Sequence, residues 1–308
     1  MEGSSRKYRG KNVLVYSDSG TSKNSVRHTE ATFTKILGHS YQIIKVDADL
    51  IKQGGWEQGC ALLVVPGGRD QPYCGDLNGD GNRKIKEYVK KGGRYLGICA
   101  GAYYASASIE FEKGDPDMEV CGPRELAFYP GLCRGTILPG FKYNSEQGAR
   151  AAACGKFAPS LRDLCDFPLP STIKTYYNGG GYFVNPMEYS GIEVLCRLEE
   201  PDVRWKDSNG EEESDGPAAI VYCPVGDGHA ILMSIHPEFD VSDKTIPIKD
   251  EILIQLRYFV NEQRELLRAL LRKMGMTISM ETKEQDLISS LATTCQISAT
   301  SLIAATEN

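Results

Sequence analysis

Short apolar runs alternate with helix-length polar stretches through the first hundred residues. Asn12-Val13-Leu14-Val15-Tyr16 is β-branched-rich and apolar at successive positions, the pattern of a buried first strand. It ends in the turn cluster Ser17-Asp18-Ser19-Gly20. Ser22 or Ser25 is placed to cap a helix running to about Leu37, with Val26, Phe33, Ile36 and Leu37 on one side and Gly38 as its stop. Residues 41–46 and 60–65 read as the second and third strands, the third ending in Pro66-Gly67-Gly68. Residues 81–91 read as a helix closed by Gly92-Gly93, and residues 95–98 as a fourth strand. Strands and helices in alternation imply parallel pairing: an α/β class, with a doubly wound, mostly parallel sheet flanked by helices.

From Ile109 to Gly216 the pattern changes. Strand-like runs near residues 134–138, 173–177 and 192–198 are separated by Pro- and Gly-rich loops, which predicts an antiparallel, loop-rich insertion in the same domain. Residues 205–216, with Glu211-Glu212-Glu213, read as a solvated loop, with a metal or basic-partner site as the functional alternative. The sheet resumes at residues 218–223, turns at Gly226-Asp227-Gly228 and continues over residues 230–235. A long helix is expected over residues 248–274, with Ile252, Leu253, Leu256, Phe259 and Val260 on its apolar face. The expected organisation is one domain over residues 10–275 and a poorly ordered tail over residues 276–308, rich in Ser, Thr and Ala. No internal repeat is visible.

Composition narrows the function classes. The 308 residues carry a net charge of -6, with 41% hydrophobic and 25% charged residues. That balance suits a globular protein and argues against nucleic acid or a membrane surface as partner. No apolar run approaches the roughly 20 residues of a membrane span. The start of the chain is polar and basic, without the apolar core of a signal peptide, so a cytoplasmic location is expected. Ten cysteines are spread along the chain, none in a CxxC pair. Free thiols in a reducing compartment follow, with no zinc knuckle, no metal and no cofactor expected.

The candidate chemistry centres on Gly97-Ile98-Cys99-Ala100-Gly101-Ala102, at the end of the fourth strand. Strand, tight turn and helix in that order aim a nucleophile outward on a strained backbone. Small residues at 97, 100, 101 and 102 let strand and helix pass closely. A helix starting after Cys99 would favour its thiolate. The plain alternative is an inert buried cysteine. A cysteine nucleophile needs a base, and the base an orienting partner. His236 stands at another predicted strand end, with Glu238 two residues on. The expected roles are attack by Cys99 on a carbonyl or amide carbon, proton transfer by His236, and orientation of the imidazole by Glu238. The N–H of Ala100, with that of Gly67 or Gly68, would form an oxyanion hole. His28 and His39 read as ordinary helix-surface and turn histidines, and His229 as a strand-edge residue.

Asp76, Asn78, Asp80, Gly81 and Glu87 match the spacing of a calcium-binding EF-hand loop. An EF-hand needs a helix on both sides, and residues 67–74 do not read as one. Arg83 also takes a position that is normally apolar. A turn with a helix start is the expected reading.

Pro66-Gly67-Gly68, Gly97-Ile98-Cys99-Ala100-Gly101 and His236-Pro237-Glu238, in this order, resemble class I glutamine amidotransferase-like domains, which have a flavodoxin-like fold. The resemblance is closer to the amino-terminal domain of fungal biotin–protein ligases. It is carried also by Val13-Leu14-Val15-Tyr16, the run from Pro66 to Asp70, Gly97 to Tyr104, and Tyr177-Asn178-Gly179-Gly180-Gly181-Tyr182-Phe183, and it covers about residues 10–275. The glycines of the last run would allow close backbone approach to a ligand, so Asn178, Gly179 and Gly180, with Tyr103, are the expected substrate pocket. Where class I amidotransferases usually hold substrate glutamine with a glutamine, this chain has Tyr103, which argues against glutamine as substrate. Nothing in the chain looks like the Gly-Arg-Gly-Arg biotinyl-adenylate loop of the ligase catalytic half, so no biotin transfer by this stretch alone is implied. Two functions remain open: a cysteine-dependent amidase or hydrolase on a small-molecule amide, and a non-catalytic ligand-binding or regulatory domain that pairs with a biotin–protein ligase catalytic domain.

Overall fold

Alternate residues of the first strand enter different cores. In β1 (Asn12–Tyr16), Val13 and Val15 pack into one apolar cluster, and Leu14 and Tyr16 into another. A strand covered on both faces needs no polar alternation, which is why this run is continuously apolar. The computed structural model describes residues 10–199, 215–242 and 248–278. The Glu-rich stretch of residues 205–214 and the tail from residue 279 lie outside the described residues.

The first half is built as α1 (Lys23–Leu37), β2 (Gln42–Val46), α2 (Ala48–Gln53), β3 (Cys60–Val65), α3 (Asp70–Leu77), α4 (Asp80–Lys90), β4 (Arg94–Ile98) and α5 (Ala100–Tyr104). β1 pairs in parallel with β2 and β3, and β3 with β4. Ser22 caps α1, its hydroxyl accepting from Ser25 N at 3.4 Å. α1 buries Val26, Phe33, Ile36 and Leu37 against one sheet face. The other face is covered by residues such as Ile51, Leu77, Ile85 and Val89 of α2, α3 and α4.

The insertion supplies β5 (Ser106–Phe111), β6 (Val120–Pro123), β7 (Tyr129–Gly135), β8 (Arg150–Gly155), α6 (Pro159–Arg162), β9 (Thr172–Tyr177), β10 (Tyr182–Phe183) and β11 (Glu193–Leu198). β12 (Ala218–Val225) and β13 (Gly228–Met233) then form the expected hairpin. All strands join one sheet in the order β2-β1-β3-β4-β13-β12-β10-β7-β5-β6, with β11, β8 and β9 branching from β12. The α/β reading with an antiparallel extension therefore holds. The central placement matters most: β13 pairs in parallel with β4, so the chain returns from the insertion to lie beside the strand that carries the cysteine.

Several expectations need correction. Residues 70–77 do form a helix, α3. Asp76 lies in it and Glu87 in α4, so the EF-hand spacing maps onto helix, turn and helix rather than onto a calcium loop. Asp80 and Glu87 pair with Arg83 at 3.1 and 3.2 Å. Among the described residues no cluster of His, Cys, Asp or Glu could hold a metal ion. The run expected at residues 134–138 is the end of β7, which starts at Tyr129. The long helix is two, α7 (Asp250–Tyr258) and α8 (Val260–Lys273), broken at Phe259 with φ -116° and ψ 18°. The Phe259 N–H and Gln263 Nε2 both donate to the Leu256 carbonyl, each at 3.0 Å, which braces the break. Of the expected apolar face only Leu256 is fully buried; the real core contribution is Leu266, Leu267, Leu270 and Leu271 of α8. His229 is on a central strand, not an edge.

Among the described residues no helix is long and apolar enough to cross a membrane, and their cysteines are all free.

Candidate active site

Cys99 leaves the end of β4 with φ 50° and ψ -105°, a conformation an L-residue adopts only under constraint. The constraint is visible on both sides. Its N–H donates to the Met233 carbonyl of β13 at 2.8 Å. Behind it, Gly101 packs so tightly on β3 that an added Cβ would stand 3.1 Å from the Val65 Cβ and nearer still to the Val65 backbone. The close approach expected of the small residues is thus real. α5 has only five residues, so local N–H groups, rather than a long macrodipole, are what it offers the sulfur. Cys99 Sγ lies 3.7 Å from the Asn178 carbonyl.

His236 follows β13. Because Met233 is the register partner of Ile98, the residues after the two strands emerge side by side. The His236 N–H donates to the Tyr176 carbonyl at 2.9 Å. Its Nδ1 is 2.7 Å from Glu238 Oε1, with both side chains buried. Burial alone would lower the imidazole pKa. The Glu238 carboxylate and a hydrogen bond with Cys99 outweigh it and lift the pKa to about 10. Three contacts from α1 hold this loop. Thr32 Oγ1 donates to the Glu238 carbonyl at 2.8 Å, Asp240 N donates to His28 Nδ1 at 3.1 Å, and Lys35 pairs with Asp240 at 2.6 Å. His28 is therefore no surface residue. It is buried, with its ring 4.4 Å from that of Phe239.

The Pro66-Gly67-Gly68 turn sits against the start of α1. Ser22 N donates to the Gly67 carbonyl at 2.9 Å, and Arg69 N to the Gly20 carbonyl at 2.8 Å. The Gly67 N–H donates to Ser25 Oγ at 2.8 Å. This corrects the expected oxyanion set: the Gly67 amide is already engaged, which leaves the N–H groups of Gly68 and Ala100. Ala100 opens its helix, so its N–H has no intrahelical acceptor. Next along the chain, Asp70 is buried and paired with Arg124 at 2.6 Å, which anchors the turn from its far end.

Cys99, His236 and Glu238 line a cavity of about 740 Å³, together with Gly67, Gly68, Ala100, Tyr103, Asn178 and Gly179. Tyr103 is buried, and its hydroxyl donates to the Gly179 carbonyl at 3.2 Å. Gly180, expected in the pocket, turns away from it: a Cβ there would run into the Ser234 backbone, and its carbonyl accepts the Tyr177 hydroxyl at 2.7 Å. Its role is packing against the end of β13.

Part of the cavity wall was not foreseen. Phe141 and Tyr143 come from the insertion, with Arg69 stacked 4.1 Å over the Tyr143 ring. Tyr176 stacks on Phe239 with ring centroids 4.3 Å apart. An aromatic pair inside a Gly- and Pro-rich stretch was the one available signal for Phe141 and Tyr143. Ser25 was legible only as an alternative helix cap.

The chain matches the family described as "Biotin-protein ligase, N terminal" over residues 11–297. It is 37% identical over 275 residues to the biotin–protein ligase of Schizosaccharomyces pombe, covering 89% of this chain and 39% of that protein. It is 36% identical over 231 residues to an uncharacterized protein of Chlamydia muridarum, covering 74% of this chain and 80% of that one. Among solved structures, a glutamine amidotransferase aligns with a TM-score of 0.46 at 17% identity, over 83% of this chain and 99% of its own. A glutamine amido transferase from Methylobacillus flagellatus aligns with a TM-score of 0.47 at 12% identity, over 89% and 97%.

Proposed function

The chain belongs to the biotin–protein ligase N-terminal family, and from that premise and the geometry of its cavity we propose that it is a cysteine-dependent amidase acting on a small-molecule amide. What supports this reading is one arrangement: a backbone-strained Cys99 and a His236 that Glu238 orients at 2.7 Å, both beside Gly67 and all three on the wall of one cavity.

The chemistry follows from those positions. Cys99 gives its thiol proton to His236 and its sulfur attacks the amide carbon, forming the C–S bond while the carbonyl π pair moves to oxygen. The N–H groups of Ala100 and Gly68 face the charge that develops there. When the C=O reforms, the C–N bond breaks and the departing nitrogen takes its proton from His236. Water then attacks the thioester with His236 as base, releasing the acid and restoring the thiol. Glu238 keeps the imidazole in one orientation and stabilises its charged form. Neither a metal nor a cofactor enters these steps, and biotin transfer is not part of the proposal.

A second reading is a non-catalytic, ligand-binding or regulatory domain for a biotin–protein ligase catalytic domain. Two observations favour it. Tyr103 occupies the place of the usual glutamine-holding residue and spends its hydroxyl on Gly179. The chain also spans 39% of the length of the Schizosaccharomyces pombe ligase that it matches.

Thiol labelling separates the two. Burial pushes Cys60 to about 12, and Cys74 and Cys165 to about 11, so these thiols are poor nucleophiles at neutral pH. With a limiting maleimide at pH 7 and peptide mapping, Cys99 is expected to label before every other cysteine, the exposed Cys121 included, and the fast phase should vanish in Cys99→Ala. Labelling of Cys99 behind Cys121 would leave the regulatory reading standing alone.

A further inference from the structure

The Ser25 side chain carries more than a helix turn. Its Oγ accepts the Gly67 N–H at 2.8 Å, and a hydroxyl has one O–H of its own still to give. Among the described residues no acceptor takes that O–H. Accepting from an amide also makes the hydroxyl a stronger donor.

The groups around the Ser25 hydroxyl are marked out by the missing side chain of Gly67. A Cβ built on Gly67 would lie 3.2 Å from Ser25 Oγ, 3.2 Å from His236 Cε1 and 3.5 Å from Cys99 Cβ, and those are its nearest neighbours. The hydroxyl, the imidazole and the carbon that bears the nucleophile therefore converge on one point beside Gly67, and Ser25, His236 and Cys99 all line the cavity.

We propose that Ser25 is the side-chain oxyanion donor of this site, and that the scissile carbonyl oxygen enters the cavity between Ser25 and Cys99. The assignment rests on the amidase reading and adds a residue to it. As the C–S bond forms, the oxygen takes the carbonyl π pair, and the Ser25 O–H, with the Ala100 N–H, binds the resulting charge. When the C=O reforms, that pair returns and the leaving group departs. The engaged amide of Gly67 then acts through Ser25 instead of directly.

Two reagents isolate this role. Acylation of Cys99 by p-nitrophenyl acetate passes through a tetrahedral oxyanion and releases nitrophenolate, which needs no proton from His236. Alkylation by iodoacetamide displaces iodide and forms no oxyanion. Loss of a single donor typically slows acyl transfer about 100- to 1000-fold, and the amide freed in Ser25→Ala softens that loss. Ser25→Ala is therefore expected to slow acylation at least about tenfold, with alkylation unchanged within about twofold. Ser25→Thr, which keeps the hydroxyl, should acylate like the wild type. Gly67→Ala, whose methyl would stand between Ser25 Oγ and Cys99 Cβ without a left-handed backbone, should also slow acylation.

Equal slowing of both reactions in Ser25→Ala would mean that the residue only positions Cys99, and would overturn the assignment. So would acylation that neither Ser25→Ala nor Gly67→Ala affects. A wild-type Cys99 no faster with either reagent than in the urea-unfolded chain would remove the amidase reading, and this donor with it.

Discussion

The N–H of Cys99 donates to the carbonyl of Met233 at 2.8 Å. The bond closes the β4–β13 ladder at its last register pair, Ile98 and Met233. Past that point both strands end, and Cys99 and His236 leave the sheet on neighbouring paths. The candidate site is thus placed at the ends of two adjacent parallel strands, with the loop that follows β13 held by α1.

The strain at Cys99 has a measurable size. With φ at 50°, glycine fits this position better than any residue bearing a Cβ. Cys99→Gly should therefore be more stable than Cys99→Ala by about 1 kcal/mol, read from urea midpoints of the two variants. Coincident midpoints would show that no backbone strain is held there.

His236 makes stability fall with alkali. Its folded pKa of about 10 lies above the roughly 6.5 of an unfolded histidine, so the native state binds the proton more tightly. The stabilisation is full below about pH 6.5 and disappears as pH rises through about 10, on the order of a few kcal/mol. Urea unfolding of wild type and His236→Gln across this window should show the wild-type advantage shrinking toward high pH. Parallel curves would mean that the ring is not charged in the native state.

His229, at the other end of the same strand, has the opposite sign. Burial and the nearby Arg94 lower its pKa to about 4. The unfolded chain takes a proton near 6.5 that the native ring refuses, so stability is lost as pH falls from about 6.5 to about 4. His229→Phe, which keeps the ring packed near Tyr222, should flatten that acid limb while leaving the alkaline one unchanged. A variant with an unaltered acid limb would refute the neutral, buried ring.

Tyr103 and Gly181 form a size-matched pair. A Cβ on Gly181 would lie 2.6 Å from the Tyr103 hydroxyl oxygen and 2.7 Å from its ring, in a region where Tyr103 is also packed edge-on to Phe111 at 5.7 Å. Gly181→Ala should cost about 1–3 kcal/mol by overpacking. Because the clash is with one side chain, Gly181→Ala combined with Tyr103→Ala should cost less than the two separate losses added. Additive losses in a thermal melt series would place the damage in the backbone instead.

Much of the architecture was legible because its cause is local or periodic. The apolar run at Val13–Leu14–Val15 must be covered on two sides, and the alternation of such runs with capped helices leaves few topologies. The cysteine turn was legible from Gly97, Ala100 and Gly101, whose small size serves one purpose. The break at Phe259 was not, because the apolar spacing from Ile252 to Val260 continues through it and only packing of α8 against the sheet opposes a straight helix. Gly180 was misplaced for a related reason: a glycine is read as room for a ligand, yet the room was taken by Ser234.

What the sequence by itself determined was the first four strands, the β12–β13 hairpin, the turn at Cys99, and the His236-Pro237-Glu238 group as its candidate partners; β5, β6, β8 and β10 were not legible in it. Tertiary structure decided the neighbours. Only the insertion of β13 beside β4 brings Cys99 and His236 together. Only the docking of α1 turns Ser25 onto Gly67 and buries His28. Only the folding-back of the insertion sets Phe141 and Tyr143 into the cavity wall. Periodicity reports which way a residue faces along its own element, but the contact across elements is settled by which surfaces pack, and no single stretch of chain contains that information.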